Sequence, residues 1–163
     1  MGACSIKHEG QLAMNSLNRI TSVVALLIIT GCTTLPEASP ELKRQAESFA
    51  PPPGKAAVYV ASELRHQGAN PEIFVALQLD QIDFGTLAPG MYLYGTVRPG
   101  EHFIFPPTAG GKGIRFLAEA GKNYFVLTKT RFSLRFAPMS EEEGRAWIKQ
   151  LVPSGINRFE NPE

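Results

Sequence analysis

Cysteine is almost missing from this chain: there are two in 163 residues, Cys4 and Cys32, neither beyond the end of the first apolar run. A disulfide framework needs paired cysteines spread through the folded part, so none is expected past Cys32. Histidine is scarce too, with three, and no His-Glu-x-x-His pair offers a helical zinc site. No Gly-x-Ser-x-Gly elbow occurs, so the strand-to-helix nucleophile turn of hydrolases is not encoded. Stretches of about 20 apolar residues, the length that crosses a bilayer as a helix, are lacking. Charge of one sign is lacking as well. Lys and Arg total 16 against 15 Asp and Glu, and with Lys7, Glu9 and Arg19 set aside the part from Cys32 onward balances at 14 each. Nucleic acid is therefore not an expected partner, because binding it draws on a basic surface that displaces counterions.

What is present starts at Arg19. One positive charge precedes an aliphatic run of about 11 residues, which is the core length of a signal peptide. The run ends in Ile29-Thr30-Gly31-Cys32. That ending resembles a bacterial lipobox, in which the cysteine sulfur is diacylglycerated, the peptide is cut before it and the new amine is acylated. Gly31 leaves the backbone open to the processing enzymes, and Cys32 supplies the sulfur for the lipid. Each buried methylene contributes about 0.8 kcal/mol, so one acyl chain is marginal and two or three make a durable anchor. Met14 to Arg19 supplies the short charged region that such a core needs, so translation is expected to begin at Met14. Thr33, not aspartate, follows Cys32, a pattern similar to lipoproteins sorted to the outer membrane and facing the periplasm. Residues 1–31 are thus expected to be a leader, and residues 32–54 a tether carrying a short helix.

The helix begins at Ser39-Pro40-Glu41-Leu42, where serine caps free amides, proline suits the first turn and Glu41 complements the dipole. Leu42, Ala46 and Phe49 give it one apolar stripe, and Pro51-Pro52-Pro53-Gly54 ends it. Beyond Lys55 the period changes to two. Ala56, Val58 and Val60 share a face, as do Val75, Leu77 and Leu79, then Met91, Leu93 and Val97, then Ile114, Phe116 and Ala118, then Tyr124, Val126 and Thr128. Turn signals such as Ala88-Pro89-Gly90, Arg98-Pro99-Gly100 and Ala120-Gly121-Lys122-Asn123 separate these runs. Short strands with such spacing predict an antiparallel β-sandwich of about seven strands over residues 55–152. Ser140-Glu141-Glu142-Glu143 predicts a capping box, and Trp147, Ile148 and Leu151 the apolar face of a C-terminal helix covering the sheet. Residues 153–163 are expected to form a loose tail.

Few polar residues form a chemical constellation. His102, beside the Pro99-Gly100 turn, is either a ligand or pH-responsive contact, or a strand histidine packed over the turn with one hydrogen bond; the second is expected. Asp80 and Asp83 are too few for a calcium cage and fit a hairpin turn. Gly110-Gly111-Lys112-Gly113 lacks the first glycine and the hydroxyl residue of a phosphate loop. Lys129, Arg131 and Arg135 share strand parity and form a candidate anion-binding strip, with Arg115 and Lys122 as neighbours. Tyr92, Tyr94 and Phe105 are candidate exposed aromatics for a small ligand or glycan. No metal or cofactor is expected.

From Pro51 to Leu151 the chain resembles an uncharacterised family of small bacterial lipoproteins, classed as a domain of unknown function. The likeness rests on Lys55-Ala56-Ala57-Val58-Tyr59-Val60 after a proline-rich lead, Gly85-Thr86-Leu87-Ala88-Pro89-Gly90-Met91-Tyr92, Pro99-Gly100-Glu101-His102 and Ala120-Gly121-Lys122-Asn123-Tyr124. The chain departs from that pattern at Ala61-Ser62-Glu63 and at Asp80-Gln81-Ile82-Asp83. The resemblance implies a β-sandwich on a lipid anchor and brings no known activity. The expected function is a non-enzymatic envelope lipoprotein, held to the membrane by its lipid, that binds another envelope component or supports an assembly. A ligand- or glycan-binding sandwich is the alternative, and an envelope hydrolase the third.

Overall fold

Local signals act first. In the computed structural model, which describes residues 35–63, 74–108, 112–130, 133–155 and 157, helix α1 spans Pro40–Ser48 with Ser39 as its cap, the hydroxyl accepting from Leu42 N at 3.3 Å. It ends at Phe49, a non-glycine residue at φ 50°. The left-handed conformation is strained for such a side chain, and burial of the Phe49 ring offsets that cost.

Strands β1 (Ala56–Ser62), β2 (Val75–Leu79), β3 (Ile82–Leu87), β4 (Met91–Val97), β5 (Gly100–Phe105), β6 (Ile114–Ala118), β7 (Asn123–Lys129) and β8 (Arg135–Met139) follow. Helix α2 (Glu141–Ile148) and a two-residue strand β9 (Val152–Pro153) complete the described elements. The strands form two open sheets, one ordered β8-β7-β1-β4-β9 and the other β3-β2-β5-β6. The fold is mainly β and sandwich-like, with nine strands among the described residues where about seven were expected.

The pairing is mixed. β1 pairs antiparallel with β4 and parallel with β7, and β9 joins β4 in parallel. The chain reverses at every turn from β4 to β7, so β7 runs opposite to β4 and hence along β1. The parallel contact is a consequence of where β7 lands, on the far side of β1. Asp80 and Gln81, at φ 53° and 71°, form the two-residue hairpin between β2 and β3, the mirror-image turn that suits strand twist.

Two apolar layers result. Val58, Val60, Leu77, Leu79, Phe84, Leu93, Ile104 and Val126 fill the space between the sheets. Ala46, Phe49, Tyr59, Tyr92, Tyr94, Phe125, Ile148 and Leu151 fill a second layer, on the side of the five-stranded sheet where the helices lie. β1 is buried on both faces along its whole length. α2 carries the expected capping box: Glu143 N donates to Ser140 Oγ (3.3 Å), and the Glu143 carboxylate accepts from Ser140 N (3.1 Å). Ser140 Oγ also donates to that carboxylate at 2.8 Å, and this bond together with the one from Ser140 N holds the Glu143 carboxyl below the usual carboxylate range. Gly144 lets the helix lie directly on β7, since a Cβ there would stand 2.1 Å from Phe125 Cγ. Trp147 Nε1 donates to Ser62 O at 3.1 Å and ties the far end of α2 to β1.

The two flanks of the domain zip together. Ala38 N donates to Pro153 O (3.0 Å), Gly155 N to Pro36 O (2.7 Å), and Ser154 N to Tyr92 O (2.8 Å). Leu35 packs against the inter-sheet core, and Asn157 bridges to Gly85. Leu35 to Ala38 are therefore part of the fold rather than tether, and residues 153–155 and 157 are held rather than loose. The helix ends at Ile148, well ahead of Pro153, so Leu151 lies beyond it, and the main-chain groups of residues 153–155 complete an edge of the sheet.

Candidate functional site

Of the residues singled out from sequence, Ile29, Thr30, Gly31, Cys32 and Arg131 lie outside the described residues. Lys129 and Arg135 stand directly opposite each other across the β7–β8 register, both exposed. Like charges in that position repel, so the pair is a local concentration of positive potential. Arg115 lies on the other sheet, its guanidinium 4.5 Å from the Phe103 ring centroid. Lys122 stands ahead of β7, at the opposite end from Lys129, and its ammonium meets Glu119 at 2.9 Å, which pushes its pKa up. The strip expected from strand parity thus comes down to Lys129 and Arg135 among the described residues.

Tyr92 and Tyr94 are not exposed, contrary to expectation: they are 0% and 4% accessible. Their side of β4 belongs to the layer shared with Ala46, Phe49, Ile148 and Leu151 of the helical segments. A tyrosine on an alternating strand reads as solvent-facing until a helix covers that face. Around them Tyr59 stacks on Phe125 with centroids 4.7 Å apart and lies 5.2 Å from the Tyr94 ring. Tyr59 OH donates to Ala46 O at 2.8 Å, whereas the hydroxyls of Tyr92 and Tyr94 are buried with no hydrogen-bond partner among the described residues. Burial pushes all three phenols up from the ordinary tyrosine value; Tyr94 and Tyr92 add to the effect at Tyr59, and Glu47 adds to it at Tyr92.

His102 sits at one end of the four-stranded sheet. Its Nδ1 lies 2.5 Å from Asp80 Oδ2 and its Nε2 2.7 Å from Arg98 O, with the ring 5.6 Å from that of Phe116. The ring thus spans the Asp80 carboxylate and the Arg98 carbonyl with its two nitrogens. Asp80 completes the arrangement: its Oδ1 accepts from Phe103 N (2.9 Å), and its own N donates to Phe103 O (3.0 Å). The histidine fastens the β4–β5 turn to the β2–β3 hairpin, with two bonds where one was expected. Nothing local announces Asp80 as its partner, since the two are 22 positions apart. Among the described residues no three of His, Cys, Asp and Glu gather as a metal site would require.

The exposed face of the four-stranded sheet joins Phe105 and Arg115, singled out above, to Phe103 and Leu117, which sequence reasoning passed over. Phe103 and Phe105 stack at 4.8 Å, both half-buried, with Arg115 over Phe103. Beside them Leu117 is 63% exposed. The available signal was a leucine on the polar phase of β6, out of step with Ile114, Phe116 and Ala118.

In sequence the chain is similar to an uncharacterized protein of Haemophilus influenzae, 29% identical over 150 residues that cover 88% of each chain. No family model matches the chain, and no solved structure matches it.

Proposed function

We infer that this protein is a lipid-anchored component of a bacterial envelope, non-enzymatic, which binds another envelope component or supports an assembly at the periplasmic side of the outer membrane. It would then belong with the small lipoproteins that its Val-Tyr-Val strand and Pro-Gly-x-His turn resemble. The observation that carries this reading is the charged, apolar, Gly-Cys-ended leader placed immediately ahead of a unit that begins at Leu35. Only Thr33 and Thr34 separate Cys32 from Leu35. At about 3.4 Å per residue, an acylated Cys32 would hold the module within roughly 10 Å of the bilayer. Such a module works against the membrane surface or on neighbours anchored beside it. Cys32→Ala should leave the protein unlabelled by a palmitate probe and released from washed membranes. Continued labelling would overturn the anchor.

A second reading has its own observation. The stacked, half-exposed Phe103 and Phe105 with Arg115 above them offer a flat apolar platform and a hydrogen-bond donor, features that suit a sugar ring. Glycan fragments that leave the NMR signals of both phenylalanines unmoved would eliminate it.

A further inference from the structure

Two open sheets have four edges, and three of them are protected. β8 carries Pro138 and the exposed Arg135, β9 is two residues long and ends in Pro153, and β3 is bridged by Asn157. Short strands, prolines and charge are the usual means of stopping edge pairing. The fourth edge, β6, has no proline and no second neighbour among the described residues, and it displays Leu117. The main-chain groups of Phe103 face Asp80 on the β2 side. Successive residues of an antiparallel ladder face opposite neighbours, so His102 and Ile104 face β6 and their partners Phe116 and Ile114 face back. The N–H and C=O of Arg115 and Leu117 are left pointing off the sheet.

We propose that β6 is the pairing edge of a homodimer, two copies joining antiparallel about a two-fold axis at Leu117. Self-complementarity selects a second copy as the occupant. Arg115 and Leu117 lie on the same exposed side of β6, and Glu119, exposed and in phase with them one residue past the strand's end, meets Lys122 at the surface. An antiparallel two-fold at Leu117 sets Leu117 against its counterpart and Arg115 against Glu119 of the other copy, twice, as an isologous interface requires. The central pair exchanges two main-chain hydrogen bonds. Glu119 N is already taken by Tyr124 OH (2.9 Å), so beyond that centre the flanking side chains carry the contact. The Arg115 guanidinium sits over the Phe103 ring, 4.5 Å from its centroid, where its N–H groups can meet a carboxylate. The pairing involves neither Cys32 nor its lipid, so it stands or falls apart from the anchor.

The test is disulfide trapping in the full-length chain, with Cys4→Ser and Cys32→Ala removing the native thiols. Leu117 is largely exposed and tolerates cysteine, and directly paired residues at the centre lie about 5.5 Å apart at Cα, within the disulfide range of about 4.4–6.8 Å. Leu117→Cys should form a covalent dimer on mild oxidation at least roughly tenfold faster than Ala76→Cys, an exposed position on the interior strand β2. Adding Arg115→Glu should slow trapping roughly tenfold, and adding Glu119→Arg to that should restore it. Equal trapping at positions 117 and 76 overturns the proposal, and so does a charge swap that fails to rescue. Capture of a different protein by the position 117 thiol in whole cells would overturn the second copy in favour of an extended peptide of that protein.

Discussion

The two sheets share one inter-sheet core and differ in what lies on their other faces. The five-stranded sheet turns Tyr59, Tyr92, Tyr94 and Phe125 toward α1 and α2 and is dry on both sides along β1. The four-stranded sheet shows Phe103, Phe105, Arg115 and Leu117 half or largely exposed. The first face is invested in stability. The second keeps aromatic, cationic and aliphatic groups at the surface, where they add little to the fold and are available to a partner. The proposed pairing lies on the sheet whose face is exposed among the described residues, and the rigidity behind it comes from the covered one.

That contrast can be broken most forcefully with alkali. Burial raises the pKa of Tyr59, Tyr92 and Tyr94, so the folded chain holds three protons that the unfolded chain gives up near pH 10. Stability is then full below that pH and falls as pH rises above it, by about 1.4 kcal/mol per unit for each phenol still protonated in the folded chain. Tyrosinate absorbance should appear in one cooperative step with loss of circular dichroism. A gradual rise in a chain that stays folded would mean that the layer is open to water.

Truncation sharpens the same difference. Tyr59→Ala removes a fully buried ring and its bond to Ala46 O and should cost about 3 kcal/mol or more in urea unfolding. Phe103→Ala, on the bare sheet, should cost less than about 1 kcal/mol. Equal costs would erase the distinction between the faces. The smallest effect concerns single hydroxyls. Tyr59→Phe should lose about 1 kcal/mol, because Ala46 O then keeps only the bond from Phe49 N (3.2 Å) and loses the one from the hydroxyl. Tyr92→Phe and Tyr94→Phe should be neutral or slightly stabilising, since their buried hydroxyls make no bond that could be lost. A clear loss in either would reveal a partner, such as an ordered water, at that hydroxyl.

Much of the scaffold was legible because its signals are local. Ser39 reaches Leu42, and Ser140 exchanges bonds with Glu143, each across three residues. The alternation of Val58 with Val60, and of Leu77 with Leu79, marks the inward face whichever strand lies opposite. Site features were less legible. The alternation that separated Tyr92 and Tyr94 from Leu93 was correct, but its second face stays undecided until something packs there. Pro153-Ser154-Gly155 read as the start of a loose tail and gave no hint of the ladder they form with Pro36 to Ala38 and Tyr92. His102 and Asp80 are brought together only by the pairing of β2 with β5.

The amino-acid order by itself determined the leader-like run with its terminal cysteine, the helix caps, the two-residue period and the turns, because each depends on neighbours a few bonds away. Tertiary structure alone decided which strand became central, which aromatic face was roofed and which edge stayed open among the described residues. Those outcomes depend on contacts between segments far apart in the chain, where a tyrosine or leucine suits either side of a strand until a partner element takes one of them.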